Sequence, residues 1–362
     1  MRATLPALTK NLFLKRPTSN VLFVTNRCNL DCLMCFYTER EKRDELTVDE
    51  IGRLARSLPP QWYIMFTGGE PFVRSDIADI AAHFYDRGAV NLHFSTNATF
   101  RSRTLEGVAQ IARYASDARV IVVTSIDGPR DVHDEIRAMP GVFDKTVTTV
   151  RELIRMKRDL PNLGVVANFT FSAFNQLYWR ETIEFLRRDL GVDTVNIGLV
   201  RGKTKDARAK DVDIERYREA QHYLVATHNR RTYFSPALKR LAVLKEVMQA
   251  DNIVRIRRQE APPGYRCLAG RVFNVITETG DVYPCEMLNR KIGNLRDVGM
   301  DFRKLWNSDE AGRIRAYIDR RECLCSYECA MGASIAASFG TAARLIDVAM
   351  RYRSSAGQER YA

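Results

Sequence analysis

Six apolar, β-branched runs recur through the first 200 residues, and a helical stretch separates each from the next. This alternation limits the fold more than any other feature of the chain. The runs are "NVLFVTN" (20–26), "WYIMFT" (62–67), "VNLHFST" (90–96), "RVIVVTSI" (119–126), "GVVANFTFS" (164–172) and "DTVNIGLV" (193–200). Strands joined through helices must lie parallel, because parallel neighbours need a crossover and crossovers are right-handed. Six such units build either an open doubly wound sheet or an incomplete barrel, and both gather ligands at the C-terminal ends of the strands.

Local signals mark the helices. Thr47 caps "LTVDEIGRLARSLPP", with Glu50 completing a capping box and Pro59-Pro60 ending the run. Ser75 is the expected cap of "SDIADIAAHFYDRG", which Gly88 terminates, and further helices are expected over 104–116, 142–159 and 176–190.

Four unusual loops fall at the C-terminal ends of the first four strands: "RCNLDCLMC", "TGGEP", "STNAT" and "SIDGP". They share one rim and therefore one site. The first holds Cys28, Cys32 and Cys35, and no further cysteine occurs until Cys267, Cys285, Cys323, Cys325 and Cys329. A gap of that size implies two separate metal sites. Three soft thiolates favour an iron–sulfur cluster or zinc, and a cluster held by three leaves one metal position open. Zinc completed by one of the five histidines is the alternative for that loop, and a four-thiolate zinc ribbon is the alternative for the distal group.

Residues 203–255 are charged and helical in pattern, a bridge between halves. "VFNVITETGDVYPCEML" follows as short strands around a turn at Glu278-Thr279-Gly280-Asp281. The tail "GASIAASFGTAARLIDVAMRYR" suits a packing helix, and its arginines also suit peripheral membrane contact. No apolar run reaches the ~20 residues a bilayer crossing requires, and the start lacks a secretory signal, so a cytoplasmic protein is expected. Fifty-six Lys and Arg against 44 Asp and Glu give +12, which permits an anionic partner. No aromatic-rich RNA-binding motif or finger spacing supports a nucleic-acid-binding metal protein, the other functional class.

"CNLDCLMC" is similar to the C-x3-C-x2-C motif of the radical S-adenosylmethionine (radical SAM) enzymes, and "GGEP" at 68–71 resembles their loop that holds the methionine amino group. Met34 stands where many members carry an aromatic residue, with Phe36 following the last cysteine. The resemblance implies a partial (βα)6 TIM-like barrel and a [4Fe-4S] cluster whose open iron binds S-adenosylmethionine. It also implies an electron donor of flavodoxin or ferredoxin type, and reductive cleavage to a 5′-deoxyadenosyl radical that abstracts a substrate hydrogen. Gly68, Gly69 and Glu70 would then meet the methionine moiety, Glu70 accepting from its ammonium. Ser95, Thr96 and Asn97 would face the ribose, with Ser125 beside them and Arg137 on the carboxylate.

Cys267, twelve residues, Gly280, four residues and Cys285 resemble the opening of the SPASM and twitch extensions, which bind auxiliary clusters. Five distal cysteines suffice for one four-thiolate [4Fe-4S] cluster. Cys267, Cys285 and Cys329 are the expected ligands, with Cys323 or Cys325 as the fourth and the other left over as a candidate hydrogen donor. The expected organisation is an N-terminal segment (1–18), a barrel (19–202), a helical bridge (203–260), a small α+β cluster-binding extension (261–335) and a terminal helix (336–362). The expected substrate is a small molecule, phosphorylated or linked to a nucleotide or lipid. A ribosomal peptide is the alternative, disfavoured because 27 residues before Cys28 are too few for a leader-binding domain.

Overall fold

The computed structural model describes residues 16–37, 44–227, 236–260 and 265–337. Strands β1 (Ser19–Thr25), β2 (Tyr63–Gly68), β3 (Asn91–Thr96), β4 (Arg119–Ser125), β5 (Leu163–Phe171) and β6 (Thr194–Leu199) pair in sequence order, all parallel. Helices α1 (Val48–Ser57), α2 (Ile77–Asp86), α3 (Arg101–Tyr114), α4 (Arg130–Arg137), α5 (Val142–Met156) and α6 (Trp179–Glu184) lie between them. The outward residues of the strands form the main core: Leu22, Ile64, Phe66, Leu92, Phe94, Val120, Val122, Val165 and Phe169 are buried against the helices. The opposite faces of β2, β4 and β5 carry a smaller apolar group, Met65, Ile121, Val123 and Val166, inside the curve of the sheet. The capping box at α1 forms, with the Thr47 side chain accepting from the Glu50 amide.

Three local features differ from expectation. Asp76, not Ser75, occupies the cap position of α2, and Arg74 holds its carboxylate through paired bonds of 2.7 Å. The segment after "SIDGP" makes a helix of its own, α4, closed by Ala138 in the left-handed region. The helix expected over 176–190 begins at Trp179 and widens into a π-turn over Phe185–Asp189.

The bridge supplies α7 (Ile214–Thr227) and α8 (Pro236–Arg257). The extension follows with β7 (Phe273–Ile276), β8 (Asp281–Tyr283), β9 (Gly293–Asn294), α9 (Phe302–Trp306), α10 (Asp309–Asp319) and α11 (Glu328–Ala336). The turn at 278–281 joins β7 to β8 as expected, with Gly280 at φ +88°. The extension is not a separate sheet. β7 pairs parallel with β1, Ser19 with Phe273 through Leu22 with Ile276, so nine strands run in one sheet ordered β6-β5-β4-β3-β2-β1-β7-β8-β9. Arg296 fastens the same junction, with both Glu50 oxygens at 2.8 and 3.0 Å and Asp44 at 2.8 Å. Among the described residues no helix is long and apolar enough to cross a membrane. The terminal helix expected over 336–362 lies, beyond residue 337, outside the described residues.

Candidate active site and thiol centres

Parallel register puts the loops after all six strands on one rim. The cysteine loop leaves β1 there and is pinned from two sides. The Leu33 amide donates to the Ile136 carbonyl (2.9 Å) from α4, while Lys205 and Asp206 amides donate to the Cys35 and Leu33 carbonyls at 3.0 and 2.8 Å. The thiols sit against an apolar wall of Leu30, Met139 and Val142. Arg137 Nη1 approaches Cys32 Sγ at 3.6 Å, the Leu30 amide lies 3.5 Å from Cys28 Sγ, and Asn97 Nδ2 lies 3.9 Å from Cys28 Sγ. Burial raises the Cys32 thiol pKa, and the Arg137 guanidinium opposes that rise. Soft donors, an apolar wall and N–H groups directed at sulfur are what an iron–sulfur cluster requires, so the residues fit one.

The glycines of "GGEP" serve a close approach between backbones. A Cβ on Gly68 (φ +131°) would stand 2.1 Å from the Thr25 carbonyl oxygen, and one on Gly69 2.1 Å from that of Arg27. The Gly69 and Glu70 amides donate to those same carbonyls, each at 2.8 Å. The loop after β2 is therefore laced to the stretch just before Cys28. Both glycines press on protein backbone here, where the sequence suggested a ligand.

Glu70 is almost fully buried, and its carboxylate gathers three donors. Oε1 accepts from the Phe72 amide (3.1 Å) and Thr96 Oγ1 (2.8 Å), and Oε2 accepts from the Asn97 amide (2.7 Å). Burial pushes its pKa up to about 7 against those donors. Glu70 thus ties the β2 loop to the β3 loop, a role its sequence neighbours did not disclose. Asn97 extends the tie, donating to Asn29 Oδ1 (3.0 Å) and accepting from Thr99. Ser95 and Ser125, half-buried at the ends of β3 and β4, make no side-chain hydrogen bond among the described residues, so both hydroxyls remain available to a ligand.

Arg137, expected on the cofactor carboxylate, has another partner. Its Nε donates to Asp127 Oδ2 at 2.8 Å, and Nη2 meets the same oxygen, which leaves Nη1 toward Cys32. Asp127 is fully buried. Its Oδ1 takes the Thr170 amide (2.8 Å), its carbonyl takes Asn175 Nδ2 (2.9 Å), and its amide donates to His133 Nδ1 (3.1 Å). Burial, reinforced by Arg137, lowers the His133 pKa to about 2, so the ring is neutral. Asp127 was missed in the sequence, although "SIDGP" had marked its loop.

The distal thiols divide four to one. Cys267, Cys285, Cys323 and Cys325 line one small cavity, closed by Tyr265, Leu288 and Ile318. Their ionisations are linked. Burial pushes the Cys285 pKa up to about 12, with Cys325 and Cys267 adding to it, and a hydrogen bond from Cys325 lowers that of Cys323. Cys329 faces elsewhere. Burial raises its pKa to about 11, and its charged neighbours are Arg201, Glu286 and Glu328. The expected set of Cys267, Cys285 and Cys329 with one of Cys323 or Cys325 therefore differs from the group that the structure brings together. The reason is helical geometry: Cys329 lies on the first turn of α11, turned toward the end of β6.

Between the two thiol groups lies Arg201, just past β6. Its Nε and Nη2 meet Glu286 Oε2 at 3.0 and 2.9 Å, and its guanidinium lies over the Phe36 ring (4.9 Å) and the Tyr327 ring (5.0 Å).

Comparison with known proteins gives this arrangement a relationship. The Radical SAM superfamily model matches residues 22–186, and the model for the SPASM iron–sulfur cluster-binding domain matches 267–330. The chain is 28% identical over 312 residues to the AdoMet-dependent heme synthase of Methanosarcina barkeri, covering 80% of this chain and 82% of the relative. It is 27% identical over 314 residues to the mycofactocin maturase MftC of Mycolicibacterium smegmatis, covering 80% and 70%. In three dimensions it resembles Streptococcus suis SuiB bound to S-adenosylmethionine, with a TM-score of 0.62 at 18% identity over 86% of this chain and 70% of that one.

Proposed function

Because the chain belongs to the radical SAM superfamily and carries a SPASM iron–sulfur domain, we propose that it removes a hydrogen atom from a tetrapyrrole-type small molecule. Its cofactors are a [4Fe-4S] cluster, S-adenosylmethionine and an auxiliary iron–sulfur cluster. With an electron from a reductant, the first two supply a 5′-deoxyadenosyl radical. The observation that carries the reading is one sheet bearing a three-thiol loop at the end of β1 and a four-thiol cavity in the extension paired to it.

On this reading Cys28, Cys32 and Cys35 hold the first cluster. Arg137 opposes the burial that raises the Cys32 thiol, the Leu30 amide lies against Cys28 Sγ, and the apolar wall lines the loop. Gly68, Gly69, Glu70 and Asn97 orient the rim loops, and Ser95 and Ser125 offer hydroxyl groups to the cofactor. Cys267, Cys285, Cys323 and Cys325 hold the auxiliary cluster.

A tetrapyrrole is favoured because the heme synthase match runs through barrel and extension alike, and an anionic, carboxylate-bearing ring suits a chain of charge +12. A peptide substrate is the second reading, supported by the similarly extensive match to the maturase. Anaerobically reconstituted protein should form 5′-deoxyadenosine faster when an iron porphyrin is added, and deuterium on the porphyrin's side chains should appear in the product. No response to iron porphyrins would eliminate the tetrapyrrole reading, and a response to a peptide alone would install the second.

A further inference from the structure

Leu324 is the residue between two of the cavity's thiols, Cys323 and Cys325, yet its side chain is 49% exposed. An apolar side chain this open is placed at the mouth of the cavity that gathers all four thiols. Around it the surface is cationic. Arg266 and Arg321 line the same cavity. Arg320 precedes Arg321, and Arg290 lies over the Tyr317 ring (3.9 Å), whose hydroxyl donates to the Glu322 carbonyl at 2.9 Å. Among the described residues Asp319 pairs with Arg266 and Arg271 and Glu322 pairs with Arg320, so the face holds two acids against five arginines. Arg321 sits at φ +59°, which turns the chain out of α10 and sets Leu324 on the rim.

We propose that this face, Leu324 within its ring of arginines, is the docking surface for a small acidic one-electron carrier protein of flavodoxin or ferredoxin type, which exchanges one electron with the auxiliary cluster. An apolar contact encircled by one sign of charge is the usual composition of a transient protein interface: the charges steer the encounter and the apolar centre is desolvated on contact. The distance an electron must cross is shortest where cluster ligands approach the surface, and Cys323 and Cys325 flank the apolar centre. The step makes and breaks no bond. The reduced carrier loses one electron and the cluster gains it, or the reverse. The proposal rests on the auxiliary-cluster reading of the four thiols, so its test is a binding measurement accompanied by an iron count.

The probe is a fluorescently labelled ferredoxin with gallium in place of iron, which binds without electron transfer, titrated anaerobically into the loaded enzyme and followed by anisotropy. Leu324→Asp, and separately the pair Arg290→Glu with Arg320→Glu, should weaken binding about tenfold or more. Raising salt from about 50 to about 300 mM should weaken the wild type similarly, because exposed charges are screened beyond roughly 10 Å. Arg151→Glu, on the exposed side of α5 in the barrel, should change nothing. Neither Arg290 nor Arg320 adjoins a cysteine, so the pair stays informative should Leu324→Asp lose iron. Unchanged affinity in an iron-replete charge-reversal pair overturns the proposal, as does equal weakening by Arg151→Glu. Loss of auxiliary iron in none of the four single Cys→Ala variants would instead overturn the cluster reading beneath it.

Discussion

Arg201 and Glu286 form a largely buried ion pair that joins the end of the sixth barrel strand to the residue after Cys285. The same guanidinium is sandwiched between Phe36, next to Cys35, and Tyr327, two residues past Cys325. One cation thus touches the loops of both thiol centres. Arg201→Met would leave the Glu286 carboxylate buried without its partner, a loss of about 3 kcal/mol or more. The expected result is a clearly lowered anaerobic melting temperature together with reduced auxiliary iron, and unaltered melting would remove the pair from any linking role.

Replacing Cys28, Cys32 and Cys35 together with Ala should abolish 5′-deoxyadenosine formation and remove one cluster's iron. The distal iron should stay, because the four-thiol cavity shares no residue with the first loop. Nucleoside product from the triple variant under dithionite would refute the assignment.

Single Ala substitutions of the five distal cysteines should separate them. Loss at Cys267, Cys285, Cys323 or Cys325 should deplete auxiliary iron and loosen the fold, since metal binding is coupled to folding. Cys329→Ala should keep its iron, as that thiol faces Arg201 and Glu286. Iron loss at Cys329 with retention at Cys323 would restore the ligand set expected from the sequence.

Glu70 has a pH signature. Its folded pKa, raised by burial to about 7 from an ordinary 4.5, means that the folded chain holds a proton there which the unfolded chain has released. Stability from this group is therefore lost as pH rises from 4.5 through 7, with a slope of up to about 1.4 kcal/mol per unit. Glu70→Gln should erase that slope in anaerobic urea titrations. It should also lower stability throughout, because an amide nitrogen turned to the Asn97 amide cannot accept from it. A slope identical to wild type would assign the titration to another group.

Glu50 behaves in the opposite sense. The Arg296 hydrogen bonds hold its carboxyl at about 2, below its ordinary 4.5, so its contribution is present above 4.5 and lost as pH falls toward 2. Arg296→Gln should cost about 1 kcal/mol at neutral pH, as a partly exposed pair does. The variant should also show a shallower acid limb. Parallel acid limbs in both proteins would show that Arg296 does not govern Glu50.

The six parallel strands and the rim loops were legible because their signals are local: β-branched runs, a capping box, cysteines following a strand. What escaped the sequence depends on distant partners. The pairing of Asn20 with Asn274 spans the whole barrel and bridge, and four-residue β7 carries no mark of which strand it joins. The three donors on Glu70 come from two different loops, and Asp127 competes for Arg137 only once α4 has folded back over β4. Cys325 lies in the non-helical stretch before α11 and Cys329 on the first turn of that helix, a change of backbone that cysteine spacing alone does not register.

The β1–β7 ladder has a bearing on how such chains can be recombined. The stretch between β6 and β7 is the covalent joint between the six parallel strands and the extension, and it is the obvious place to exchange one extension for another. The mechanical joint lies elsewhere, in the rungs from Ser19–Phe273 to Leu22–Ile276. A chimaera cut in the bridge still has to match a foreign strand to β1, the strand that leads directly into Cys28. A mismatch there would reach the first thiol loop through its own backbone, so transplanting the extension amounts to re-anchoring the barrel's first strand.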